Sequence, residues 1–418
     1  MKIKTTLRPI LQYTCLYLLL LCHDVAIYRE HTLLIRMAIA VFCVIVIAAS
    51  GKVEKGLLIF AGLLSTYLLV KTEFKLLLNY LECILITYTS INIDRKKFCE
   101  RFIKIVSFFT VLSLVFYILG VLNPDLLLKI FNKENHIEWS FYGKPYYLRG
   151  RWLYCVKQYE LERNNSVFTE PGLFQMLICS CLFMLLFMRS SLKNLSDKKV
   201  NFLIALFIIA VITTGSTTGY MAFIMIIGIY IISNKNMRRI ERNNKKYIRK
   251  VLKYVLTGGA GATAVIMINY ILLRDQSFIY RFLIQKIVEM FSDGTSGHAR
   301  TSMISICLPY AVKNLFGVGE DYLSLALRTQ DMGANGGILV HTFASIGLIP
   351  SLLILFYYYK DVFVGYVPKW STVLIIGLYV NTSLAQSRFL YPALLVLPVV
   401  YGQYCKNMYL KKVQKYDE

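Results

Sequence analysis

Apolar runs separated by short polar breaks recur along almost the whole chain. Those that approach the roughly 20 helical residues needed to cross a bilayer core fall at 9–27, 32–50, 56–70, 74–91, 102–122, 167–188, 200–214, 218–233, 251–273, 337–359, 371–385 and 389–405. Twelve such runs predict an all-α polytopic membrane protein, with residues 1–418 as a single integral membrane domain. Two connections are too long to be simple turns, 123–166 and 274–336. Long ordered loops on a compact scaffold are where binding and chemistry concentrate.

Patterning continues inside those loops. In the second, Phe278, Ile279, Phe282, Leu283, Ile287 and Phe291 recur at helical spacing with Arg281, Gln285, Lys286 and Glu289 between them, which predicts a helix lying in the membrane interface. Residues 301–312 are mostly apolar but too short to span, so a re-entrant or interfacial segment is expected. Phe316-Gly317-Val318-Gly319 follows, its glycines permitting a tight turn. The first loop opens with Asp125 to Phe131, a short interfacial helix by the same reasoning.

Composition agrees with the pattern. The 418 residues are 56% hydrophobic and 17% charged, against about 45–50% and about 25% for soluble domains, which excludes an ordinary soluble fold. Net charge is +23, and 29 of the 47 Lys and Arg fall on one side when the amino terminus is placed in the cytoplasm. By the positive-inside rule both termini are then cytoplasmic and both long loops face outward. The nine basic residues between Lys235 and Lys253 read as a topology determinant near anionic lipid; with no aromatic stacking platform beside them, nucleic acid is not an expected partner. The first apolar run is followed by Cys22-His23-Asp24 rather than a small-residue cleavage site, so the first helix is expected to stay as an anchor. Ten cysteines, mostly within the runs, read as small hydrophobes.

Candidate chemistry gathers in the outer loops. Arg149, Arg151 and Arg163 in the first and Arg274, Arg281, Arg300 and Arg328 in the second offer planar donor forks suited to phosphate oxygens. Arg163 and Arg300 each stand just before an apolar segment. Glu170, in Phe168-Thr169-Glu170-Pro171-Gly172, lies where the chain returns to the membrane; it is either a helix-start residue facing the dipole or a general base at membrane depth. All five histidines, at 23, 31, 136, 298 and 341, map to or near the outer face, and His298 and His341 are candidates for phosphate or proton handling. Glu82, mid-run, is expected to lock helices through a buried partner. Tyr142, Tyr146, Tyr147, Trp152, Tyr154 and Tyr159 suit the membrane interface first and sugar stacking second.

In these segments the sequence resembles the bacterial O-antigen and capsular polysaccharide polymerases of the Wzy type, and more distantly the O-antigen ligases. Three pieces carry the resemblance: Arg163 to Phe174 with its Phe-Thr-Glu-Pro-Gly core; the turn Ser216-Thr217-Thr218-Gly219-Tyr220; and Gly297-His298-Ala299-Arg300, then Phe316-Gly317-Val318-Gly319, then Ile346-Gly347-Leu348-Ile349. They cover about residues 163–350. The ligase His-Asn pair is replaced by Gly336-Gly337, with Asn335 before it and His341 a turn later, which argues against a ligase using that histidine.

The resemblance implies a helical membrane glycosyltransferase of the bacterial plasma (inner) membrane, acting on polyprenyl-pyrophosphate-linked oligosaccharide repeats at the outer face. Membrane lipids are implied partners, and an accessory chain-length regulator is among those it allows. The growing glycan leaves its pyrophosphate carrier for a hydroxyl of the incoming repeat, so no cofactor is called for, and no metal is expected because no carboxylate cluster stands in an outer loop. Arg163 and Arg300 would clamp the departing pyrophosphate, with Glu170 or His298 accepting the proton. Arg149 and Arg151 would hold the second lipid-linked substrate, with Ser216, Thr218, Asn335 and His341 as further substrate contacts. A ligase-type transferase and a lipid-linked oligosaccharide flippase are the alternatives, the flippase needing its ionisable residues inside the bundle at mid-membrane.

Overall fold

A computed structural model describes residues 6–25, 32–50, 54–71, 73–131, 136–141, 144–149, 153–157, 163–237, 296–328, 337–386 and 388–417. The described chain is mostly helical. Its helices are α1 (Arg8–Leu21), α2 (Thr32–Ser50), α3 (Lys55–Val70), α4 (Phe74–Asn92), α5 (Phe98–Leu122), α6 (Pro124–Ile130), α7 (Pro171–Phe187), α8 (Asp197–Thr213), α9 (Thr217–Met237), α10 (Ser296–Lys313), α11 (Glu320–Arg328), α12 (Ile338–Ser345), α13 (Leu348–Tyr359), α14 (Lys369–Ser383) and α15 (Pro392–Asp417). Proline opens α6, α7 and α15, where its missing N–H costs nothing. Asn123 caps α6 by accepting the Leu126 N–H at 3.0 Å, and Ser196 caps α8.

Helices occupy eleven of the twelve predicted apolar runs. The run 251–273 and the interfacial helix expected at 278–291 lie outside the described residues. Thr32–Ala49 and Phe98–Leu122 are long and apolar enough to cross a membrane; Arg8–Leu21, Lys55–Val70, Pro171–Phe187, Thr217–Ser233 and Ser302–Lys313 are shorter apolar helices.

Helix α7 is the centre of the bundle. Every residue from Pro171 to Leu186 is buried, with α5, α8, α9 and α15 packed around it, as an element apolar on all sides must be. The peripheral helices are turned the other way. Leu33, Leu34, Met37, Val41, Val44 and Ile45 form an exposed stripe on α2, and Phe108, Val111, Val115, Ile118 and Leu122 another on α5. Between α2 and α4, buried Glu82 meets Arg36 at 3.5 Å, the helix-locking partner expected of it. All ten cysteines are buried and none is in a disulfide.

Three elements depart from the sequence reading. The first long loop is not purely helix and coil: after α6 it forms an antiparallel sheet of β1 (His136–Phe141), β2 (Lys144–Arg149) and β3 (Val156–Lys157), with Trp139 opposite Tyr146 and Arg149 opposite His136. Aromatic-rich strands of this kind favour pairing over helix. The segment expected at 301–312 is an 18-residue helix that starts at Ser296 and takes in Gly297 to Arg300. The run 337–359 is broken between α12 and α13, because backbone from the preceding loop passes through the gap. Gly347 has φ +114°, and a Cβ on it would lie 2.5 Å from the Phe316 carbonyl carbon. The Val318 N–H bonds the Ala344 carbonyl, the Gly319 N–H the Ser345 carbonyl and the Ile349 N–H the Leu315 carbonyl, at 2.9, 2.9 and 3.1 Å. Only glycine lets two backbones approach so closely.

Candidate functional site

The stretch from Arg163 to the head of α7 is held from several directions. The Asn164 N–H bonds the Thr213 carbonyl at 2.9 Å, and its Nδ2 reaches Ser113 Oγ at 3.2 Å and Thr213 Oγ1 at 3.1 Å, tying the loop to α5 and α8. Ser166 adopts φ +53°, its N–H bonded to Asn164 Oδ1 and its carbonyl accepting the Cys155 N–H. Phe168 bridges to Val25. Thr169 donates its backbone N–H to the Asp24 carbonyl and its hydroxyl to Asp24 Oδ2 at 2.9 Å. Asp24, 4% exposed, also meets Arg388 at 3.3 Å, and Arg388 donates to the Cys22 carbonyl at 2.8 Å. This lattice fixes where α7 begins.

Glu170 is the residue before α7, with extended backbone (φ −140°, ψ 142°), and its side chain makes no capping hydrogen bond. The carboxylate thus stands at the positive end of the helix dipole without a capping bond. Two residues on, Gly172 leaves room for the Gln386 side chain, which any Cβ would strike, and Gly219 lies against Gln175 in the same way at 3.1 Å. Buried around this helix head, Gln175 Nε2, Gln386 Oε1, Asn165 Oδ1 and Ser166 Oγ have no hydrogen-bond partner among the described residues. Buried polar atoms in native folds are nearly always satisfied, so the layer is suited to water or a polar ligand.

The Ser/Thr turn meets this loop. Arg163, half-buried, directs Nε toward the Thr214 carbonyl at 3.4 Å. Gly215 turns the chain with φ +57°. Ser216 Oγ accepts the Gly219 N–H at 3.4 Å, capping α9, and its O–H remains a donor. Thr218 is buried, and its carbonyl accepts from Asn381 Nδ2 at 2.9 Å.

A second polar cluster sits where Gly317 to Gly319 crosses the α12–α13 break. Tyr67 OH donates toward the Phe316 and Ile346 carbonyls (2.8 and 2.5 Å), and Lys71 Nζ to the Gly317 carbonyl (3.1 Å). Glu73 Oε1 accepts the Glu320 N–H at 2.5 Å, capping α11. Glu320 Oε1 lies 3.6 Å from Nε2 of buried His341 on α12. Burial raises the Glu73 carboxyl above its usual range, helped by the Glu320 and Asp321 charges and opposed by the Glu320 N–H. Burial also raises Glu320, with Asp321 adding to it and a Ser345 hydrogen bond opposing. The sequence reading missed both glutamates. Their signals were Glu73 in the short break between two apolar runs and the pair Glu320-Asp321 just past Gly319.

Of the predicted residues, Arg163, Glu170, Ser216 and Thr218 come together around the heads of α7 and α9. His341 belongs to the second cluster, linked to the first through the Gly337 N–H, which bonds the Leu384 carbonyl at 3.1 Å, two residues before Gln386. His298 and Arg300 are in the first turns of α10, which packs on α12, and Arg149 is in β2; the side chains of all three lie outside the described residues, as do Arg151 and Asn335 altogether. Among the described residues no group of three or more His, Cys, Asp or Glu is placed to hold a metal ion. Comparison of the chain with protein-family models, curated proteins and solved structures finds no match.

Proposed function

We propose that the chain is a multi-pass membrane glycosyltransferase that polymerises polyprenyl-pyrophosphate-linked oligosaccharide repeats at the outer face of a bacterial plasma membrane. The observation that carries this reading is the meeting of Arg163 with the turn before Ser216. These are two of the three segments on which the resemblance rests, about 50 residues apart in the chain. The third supports it too, since Gly317 and Gly347 come from separate parts of the resemblance and meet in the backbone crossing. Membrane insertion is supported by the apolar stripes on α2 and α5. Soluble monomers rarely expose contiguous apolar patches larger than a few hundred Å², whereas lipid is the solvent such helices match.

In this reading Arg163, with Arg300 at the head of α10, neutralises the pyrophosphate as it leaves. A preorganised guanidinium in a partly dry site acts most strongly where charge develops. Glu170, whose side chain makes no capping hydrogen bond, takes the proton of the attacking hydroxyl. The test is reconstitution of the purified chain in lipid with synthetic polyprenyl-pyrophosphate repeat units, read as a ladder on a gel. Arg163→Ala should abolish the ladder while the protein stays folded, and Glu170→Gln should cut it by about 100-fold or more, as loss of a general base does. A normal ladder in Arg163→Ala removes the clamp. Protein-dependent movement of the lipid across vesicles with no ladder would identify a transporter.

A further inference from the structure

Away from the candidate site, α5 and α8 lie side by side and parallel. Asn194, ahead of α8, donates to Glu100 Oε2 near the start of α5 at 2.6 Å, while Asn164 joins Ser113 of α5 to Thr213 of α8 further along. Between them runs a groove of about 440 Å³. Phe108, Val111 and Val115 of α5 and Leu203 of α8 line its apolar length, and Lys104 and Lys199 both stand at the end where the two helices begin. From Lys104 to Val115 is about 16 Å of helix at ~1.5 Å per residue, roughly half of a ~30 Å hydrocarbon core. We propose that this groove binds an anionic phospholipid of the cytoplasmic leaflet, one acyl chain along α5 and the headgroup phosphate between Lys104 and Lys199.

Charge complementarity selects the occupant. Lys104 bridges Glu100 at 2.7 Å, and an ammonium with three donors has others for a phosphate oxygen. Lys199 is exposed, and exposed Lys193 and Lys198 extend the basic rim. The inference rests on the membrane-spanning part of the proposed function and is independent of the glycosyl transfer. It is tested by native mass spectrometry of the full chain in detergent, mixed with phosphatidylglycerol or phosphatidylcholine of identical acyl chains. The wild type should retain phosphatidylglycerol preferentially, and Lys199→Gln should reduce that preference about fivefold, the effect of a single lysine near an anionic surface. Val111→Trp, at an exposed position, should fill the groove and remove retention of both lipids. Equal retention of the two lipids, or a preference unchanged in Lys199→Gln, overturns the site. Self-association that Val111→Trp blocks, with no lipid retained, also overturns it and makes the groove a contact between copies. A chain released from membranes by carbonate overturns the membrane reading instead; an integral protein without headgroup preference overturns the lipid site alone.

Discussion

Two charged groups show how single residues set stability here. Asp24 is nearly sealed from solvent, and Arg388 supplies an opposing charge. Its guanidinium bonds both the Asp24 carboxylate and the Cys22 carbonyl, and a hydrogen bond to a charged group contributes about 1.5–3 kcal/mol, so Arg388→Ala should lower the detergent melting temperature, with Asp24→Asn in the same background recovering part of it. Glu100 is the other. It accepts hydrogen bonds from Lys104 at 2.7 Å and Asn194 at 2.6 Å, with Lys97 at 3.5 Å. Hydrogen bonds to a charged group contribute about 1.5–3 kcal/mol, so Glu100→Ala should lower the detergent melting temperature, and Glu100→Gln, which keeps an acceptor oxygen, should lower it less. The Arg163 and Glu170 positions were legible because a charged residue beside an apolar run is conspicuous in sequence. Glu320 was not, since only folding brings Glu73 and His341 to it.

Among elements, helices were the legible part: apolar runs of helical length became helices wherever the chain is described. Boundaries failed where tertiary contacts override local pattern. Hydropathy sees 337–359 as one run, because the signal that breaks it is backbone from Leu315 to Gly319, distant in sequence. Gly347→Ala places a methyl group against that backbone at a positive φ, and should destabilise by about 3 kcal/mol or more, read as loss of folded protein after detergent extraction; Gly365→Ala, where nothing lies within 4 Å, is the silent control. The hairpin of β1 and β2 was readable in principle, since Ile137, Trp139 and Phe141 alternate with Glu138 and Ser140. The aromatic residues there equally suit the membrane interface, so the pattern fits both readings.

For the whole molecule, charge asymmetry predicts which end of the bundle faces the cytoplasm. Asp125 and Lys193 are exposed at opposite ends in that topology. In intact cells a membrane-impermeant maleimide should label Asp125→Cys and reach Lys193→Cys only after permeabilisation. The ten native thiols, all buried, should leave the parent unlabelled, and a reversed pattern would invert the topology. The all-round burial of α7 also bears on biogenesis. Its wall includes α15, which begins about 200 residues after α7 ends. During synthesis the helix carrying Glu170 at its head stays partly unsheathed until that late segment arrives, and Arg388, which braces Asp24, comes with it. The candidate site thus cannot be assembled until that segment has been made, and a prematurely terminated product would be marked for proteolysis by the bare flank of its own central helix.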